Sequence, residues 1–217
     1  MNPRPRRHVA AKATVCAVVG SALGTAVVLL FFPLSGAFFQ GLDLLRVDLA
    51  SICAIRKAWT RADGWLLSAT MGNGAPLSSW AEAQLFYPVR WVALLFAPDW
   101  SVSIEVVIHL ILAAAGTAWL LRTFRLPVGA SAAGGMAFAL GGTALNLIYH
   151  SIYLVAAAWL PFAWAGARAF LMGRAQAAPA VGAAVLFCLL GGDPQAAGLA
   201  VALLLGEGLL RWPRRRR

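Results

Sequence analysis

Acidic residues are scarce in this chain, and half of them fall in one stretch. Of eight Asp and Glu residues, four lie within residues 41–88: Asp43, Asp48, Asp63 and Glu82. A carboxylate set just outside an apolar run can coordinate a divalent metal or take a proton from an attacking hydroxyl. Asp43 and Asp48 stand five residues apart at the head of the stretch and are the first candidates for such work. The same spacing is equally that of solvated charges on an amphipathic helix, paired with Arg46 or Arg56.

Three further groups carry ionisable or hydrogen-bonding side chains. Glu105 and His109 are four residues apart inside an apolar run, so a helix puts them on one face. Ionisable groups at that depth face a bundle interior or a wet cavity. Gly191, Gly192, Asp193, Pro194 and Gln195 form a tight turn between two apolar runs. There Asp193 suits a helix N-cap and Pro194 the first helical position, while Asp193 and Gln195 could also face a cavity. Asn146, His150 and Tyr153 cluster between two further runs, where Tyr is a common interfacial anchor. The pairs Gly134-Gly135 and Gly141-Gly142 suit close helix packing better than phosphate binding. Cys16, Cys53 and Cys188 have neither disulfide nor zinc spacing and read as small packing residues.

The elements that position these groups are membrane helices. The 217 residues are 61% hydrophobic and 12% charged, about half the charged share of a soluble domain. Mean hydropathy is +0.76. Runs approaching 20 apolar residues suffice to cross a core of about 30 Å. The expected fold is therefore all-α, a polytopic transmembrane bundle of about six spans with a long outer loop containing interfacial helices. Its parts are a basic tail at 1–12, a first helix at 13–33, an outer loop at 34–100, a five-helix bundle at 101–211, and a basic tail at 212–217. The first run is longer than a signal-peptide core, which predicts a retained helix. Within the loop, Leu42, Leu45, Leu49, Ile52 and Ile55 recur at helical spacing, with Asp43, Arg46, Asp48, Arg56 and Lys57 between them. That pattern predicts an amphipathic helix lying at the interface or docked on the bundle. The run 89–98 is too short to span. Pro161 is expected to kink its helix.

Charge fixes the expected orientation. Arg4, Arg6, Arg7, Lys12, Arg122, Arg125, Arg168, Arg174, Arg211 and Arg214, Arg215, Arg216 and Arg217 all fall on one side if the spans alternate. The positive-inside rule makes that side cytoplasmic, with both termini, and puts residues 41–88 outside. The net charge of +10 thus serves topology and lipid headgroups rather than nucleic acid.

Several pieces, in order, resemble the bacterial YfhO-type family of multi-pass membrane proteins, which look like glycosyltransferases of the GT-C class. They are Asp43, then Trp65, then Gly72, Gly74, Pro76 and Leu77, similar to the family's Gly-Gly-Pro-Leu turn. Gln84, Phe86, Tyr87 and Pro88 are similar to its Gln-x-x-Phe-Tyr-Pro segment. His150, Trp159-Leu160-Pro161 and the turn at 192–195 complete the series, with Asp193 where the family has His. The resemblance spans about residues 40–200 and implies the amino-terminal part of such a protein in a bacterial cytoplasmic membrane.

What the resemblance implies is transfer of a sugar from a polyprenyl-phosphate carrier at the outer face. Asp43 would be the catalytic or metal-binding carboxylate, with Asp48 second and Mg or Mn as the possible cation. Arg46, Arg56 and Lys57 would offset the donor's phosphate. Gln84, Tyr87, His150, Asp193 and Gln195 would line the substrate site. The alternative is a non-catalytic scaffold or assembly partner for a further membrane subunit. Transport is a weaker third reading, since no internal inverted repeat is visible.

Overall fold

The structure is a computed structural model and describes residues 4–34, 39, 43–60 and 76–211. Trp65, Gly72, Gly74, Asp63 and the terminal basic residues 214–217 lie outside them, as does most of the expected turn at 71–76. Among the described residues the architecture is all-α. The helices are α1 (Arg4–Leu34), α2 (Ala50–Thr60), α3 (Pro88–Ala93), α4 (Pro98–Thr123), α5 (Val128–Ala139), α6 (Gly142–Asn146), α7 (Ser151–Leu171), α8 (Ala178–Leu190) and α9 (Pro194–Arg211). A π-helical segment, Leu44–Leu49, leads directly into α2.

Four stretches are long and apolar enough to cross a membrane: Val9–Phe31, Trp100–Thr123, Val128–Tyr149 and Ser151–Leu171. The helical stretches Ala175–Leu190 and Pro194–Leu210 are apolar but shorter. Proline marks the starts: Pro88, Pro98, Pro179 and Pro194 all occupy the first turn of their helices. There the missing N–H costs nothing and the fixed φ suits the helix. The expected third span is interrupted: α5 ends at Ala139, and α6 with a 3-10 turn at Leu147–Tyr149 completes the stretch. Pro161 sits within α7.

Helix α4 is the central element, packed against α1, α5 and α7. Its approach to α1 and α5 depends on small side chains. Ser21 Oγ donates to the Ala114 carbonyl at 3.2 Å. A Cβ on Gly135 would sit 2.3 Å from Ser21 Oγ and 2.4 Å from Ala114 O, so only glycine fits this crossing. Alanines 113, 114 and 139 form the core there. With little hydrophobic drive between helices in lipid, such close contact supplies the association energy.

Short connections make successive helices antiparallel, so the molecule has two distinct ends. One end gathers the tip of α1, the starts of α4, α7 and α9, and the end of α8; the Phe39 amide donates to Ser103 Oγ across it. The opposite end carries Arg122, Arg125, Arg168 and Arg174. Glu207, the one carboxylate there among the described residues, pairs with Arg168 and accepts a hydrogen bond from Trp164 Nε1 at 3.0 Å. Arg168 also donates to Thr123 Oγ1 and lies 3.7 Å over the Phe124 ring.

The amphipathic helix forms, but its inner face is not the one that periodicity predicts. Ile52 and Ile55 are buried as expected, whereas at the N-terminal end Leu44 and Asp48 face inward and Leu45 is 49% exposed. Leu44, Asp48, Ile52 and Ile55 follow at spacings of four, four and three, which is one face of a helix, and Leu49 packs half-buried beside them.

Candidate functional site

A cleft opens at the end away from the arginines. Its volume is about 60 Å³, and its walls are Asp43, Val47, Asp48, Glu82, His150, Ser151 and Ile152. Three separate elements supply them: the π-helical segment, the 3-10 turn Ala81–Ala83, and the junction into α7.

At the mouth, Asp43 Oδ2 lies 2.7 Å from His150 Nδ1, and both side chains are about half exposed. A carboxylate on Nδ1 fixes the imidazole orientation and leaves Nε2 as its outward nitrogen. The His150 ring also meets Tyr153 edge-on, with centroids 5.7 Å apart. Glu82 accepts a hydrogen bond from Trp80 Nε1 at 3.3 Å.

Deeper in, Asp48 is 2% exposed and its Oδ1 accepts two hydrogen bonds. Ser151 Oγ donates at 2.7 Å and Arg90 Nη2 at 2.9 Å. Arg90 is completely buried, with Nη1 2.9 Å from Glu105 Oε2 and Nη2 donating to Gln84 Oε1 at 3.0 Å. Gln84 Nε2 in turn donates to the Gly191 carbonyl at 2.9 Å. Burial works against the charge on Arg90, but the carboxylates of Glu105 and Asp48 more than offset it and raise its pKa further. The guanidinium is therefore permanently charged and ties the π-helical segment, α3, α4 and the 3-10 turn together. Gln84 makes its two bonds from a left-handed backbone (φ 52°, ψ 35°), a conformation costing about 1 kcal/mol or more for a non-glycine residue.

A second buried chain lies behind the first. His109 Nδ1 donates to the Glu105 carbonyl at 2.7 Å, which leaves Nε2 to accept from the Tyr87 hydroxyl at 2.7 Å. Trp159 Nε1 donates to the same hydroxyl at 2.7 Å. Burial pushes the Tyr87 phenol above its ordinary range, so it stays protonated and donates to His109.

Of the residues singled out by sequence, Asp43, Asp48 and His150 meet in the cleft. Gln84 sits two hydrogen bonds behind Asp48, through Arg90. Tyr87 is buried with His109 and Trp159, outside the cleft walls. Arg56 is occupied: its Nη2 donates to the Leu94 carbonyl at 2.9 Å and also to the Phe96 carbonyl. Arg46 and Lys57 are exposed and do not line the cleft. Asp193 caps α9, its Oδ1 accepting from the Ala196 amide at 2.8 Å, and Gln195 is exposed. Glu105 and His109 share a helix face, but their side chains engage Arg90 and Tyr87 rather than each other. Sequence reasoning assigned no role to Arg90 or Ser151. For Arg90 the signal was present, as an isolated charge within the apolar run 89–96.

Asp43 and His150 together make two metal-capable side chains. Among the described residues no three His, Cys, Asp or Glu side chains form a metal-binding group. The Mg or Mn ligand set that the resemblance implies is thus not assembled among the described residues.

Compared with protein-family models, with curated proteins and with solved structures, the chain matches none.

Proposed function

We propose that the chain is a GT-C-like membrane glycosyltransferase, or the amino-terminal part of one, acting at the outer face of a bacterial cytoplasmic membrane. In this reading α8 and α9 complete about six spans, both termini are cytoplasmic and the cleft faces outward. The observation that carries it is the Asp43–His150 pair at the mouth of a cleft walled by two further carboxylates and Ser151.

The chemistry follows from that pair. Asp43 holds His150 by Nδ1, and Nε2 takes the proton from an acceptor hydroxyl. The freed oxygen attacks the anomeric carbon of the donor, the new glycosidic bond forms, and the bond to the carrier phosphate breaks. The phosphate departs with the electron pair. Arg46, exposed on the π-helical segment that begins at the cleft, is a cation available to that phosphate, since Arg56 and Arg90 already have partners.

The test uses the purified protein in liposomes with a polyprenyl-phosphate sugar. Asp43→Asn and His150→Ala should each lower transfer by about 10²-fold or more, the usual share of a general base. The double variant should be no worse than either single one, because the two act as a unit. Transfer that survives both substitutions, or no transfer by the parent protein, would sink the reading in favour of a non-catalytic membrane subunit.

A further inference from the structure

The sequence pattern points to the Leu42, Leu45, Leu49, Ile52 and Ile55 stripe as the surface that meets the membrane or the bundle. The structure gives Ile52 and Ile55 to the bundle. Ile52 joins the core formed by α1, α4 and α7, and Ile55 packs with Leu77 and Leu85. A different apolar surface remains uncovered, and it is built by two elements together.

Trp59, at the end of α2, is 61% exposed, and its ring meets Trp91 of α3 edge-on with centroids 4.9 Å apart. Val92 and Phe96 are also exposed, and Leu95 is 82% exposed. These residues are contiguous. The Leu95 amide donates to the Val92 carbonyl at 3.1 Å, and the Phe96 amide to the Ala93 carbonyl at 3.1 Å. Arg56, one turn before Trp59, clamps the Leu94 and Phe96 carbonyls, so α2 and the end of α3 move as one piece. Leaving so many large apolar side chains in one patch against water is costly.

What covers the patch follows from its level along α4. Ser101 Oγ donates to the Ala93 carbonyl at 2.8 Å, and Arg56 Nη2 donates to Ser101 Oγ at 3.3 Å. The end of α3 and the turn after it therefore sit beside the first turn of α4. Ser101 is already inside the stretch Trp100–Thr123, whose 24 residues make it long enough to cross a membrane. As a helix that stretch is about 36 Å long, against an apolar core of about 30 Å, so its ends reach the headgroup layer. A patch held at Ser101 lies in that layer. Its composition matches the place: Trp with aliphatic side chains, and Lys57 beside Trp59 to meet lipid phosphate.

We infer that Trp59, Val92, Leu95 and Phe96 form a lipid-facing seat, inserted at the boundary between headgroups and acyl chains beside α4. The seat stands whether or not the cleft does chemistry. It also gives the α2–α3 layer an anchor that the buried Ile52 and Ile55 cannot provide.

The experiment is spin-label accessibility in the full chain, reconstituted in phosphatidylcholine–phosphatidylglycerol vesicles with Cys16, Cys53 and Cys188 replaced by Ala. A label at Leu95→Cys should collide with oxygen several-fold more, relative to a water-soluble nickel reagent, than a label at the exposed Ser78→Cys. A second label at Val92→Cys should behave as Leu95→Cys does. A nickel-dominated signal at both positions means the patch faces water and overturns the inference. So does a label inaccessible to both reagents, which would mean that protein covers it. Leu95 and Val92 are exposed, so labelling does not threaten the fold, and a circular-dichroism spectrum matching the parent confirms it.

Discussion

Arg90 is the residue on which the cleft's geometry rests. Two buried carboxylates, a buried amide and a helix junction depend on its charge, directly or through one hydrogen bond. A buried ion pair is weak as a net source of stability, but removing one partner leaves the others charged and unsolvated. Arg90→Ala should therefore destabilise the protein by about 3–5 kcal/mol, read as a lowered unfolding midpoint in detergent. Lysine should not rescue it, because a single ammonium cannot reproduce the guanidinium's spread of donors. A loss under about 1 kcal/mol, near that of an exposed pair, would show that the network is incidental. Asp43→Asn should behave oppositely. Its pairing with His150 is half exposed and worth at most about 1 kcal/mol, so the variant should fold as the parent does and report on function alone. At this scale the sequence was partly legible. Asp43, Asp48 and His150 stand out as polar groups beside apolar runs. The partners of Asp48 do not, because Arg90 is 42 positions away and Ser151 is 103. No local rule joins residues at such separations.

Among the elements, the α8–α9 turn is the sharpest test. Asp193 both ends the turn and caps α9, which sequence reasoning anticipated from its place before Pro194. Asp193→Ala should cost about 1 kcal/mol through the lost cap, while Asp193→Asn should cost much less. Gly192 adopts φ +88°, and a Cβ there would lie 2.7 Å from the Ala81 carbonyl oxygen. Gly192→Ala should then cost more than the backbone penalty of about 1–2 kcal/mol alone. It should also push the turn away from the 3-10 segment that carries Glu82. Paired unfolding curves of the three variants check the order: Asn mildest, the two Ala changes clearly worse. The element that was not legible is the π-helical segment. Apolar content alone draws the stripe through Leu45 and leaves Asp48 among the charges between its members. The buried face runs instead through Leu44, Asp48, Ile52 and Ile55, with Asp48 paired to Arg90 inside. Helix existence survived that error because apolar content and prolines, rather than register, decide it.

For the whole molecule, the division into an arginine-rich end and a cleft end was readable from charge alone. The number of crossings was less so. The apolar stretches Ala175–Leu190 and Pro194–Leu210 are shorter than the four candidate spans, and α5 stops early at Ala139. Orientation can be measured directly in a cysteine-free background. A membrane-impermeant thiol reagent should label Ser78→Cys in intact cells and Arg174→Cys only after permeabilisation. The reverse pattern would turn the bundle over, place the cleft on the cytoplasmic side and contradict the outward-facing reading.

The dispersal of the Arg90 network along the chain has a consequence for biogenesis. Asp48, Gln84, Arg90 and Glu105 are made early, but Ser151 and the Gly191 carbonyl are not. At about 5–20 residues per second, the ribosome needs several seconds or more to go from the first of these residues to the last. Until Ser151 is made Asp48 has Arg90 alone, and until Gly191 is made the Gln84 side-chain N–H lacks its carbonyl. The cleft end of the protein thus receives its last hydrogen-bond partner only at the α8–α9 turn. A nascent chain cut short before the α8–α9 turn would hold its buried ion pairs but leave the Gln84 side-chain N–H without its carbonyl.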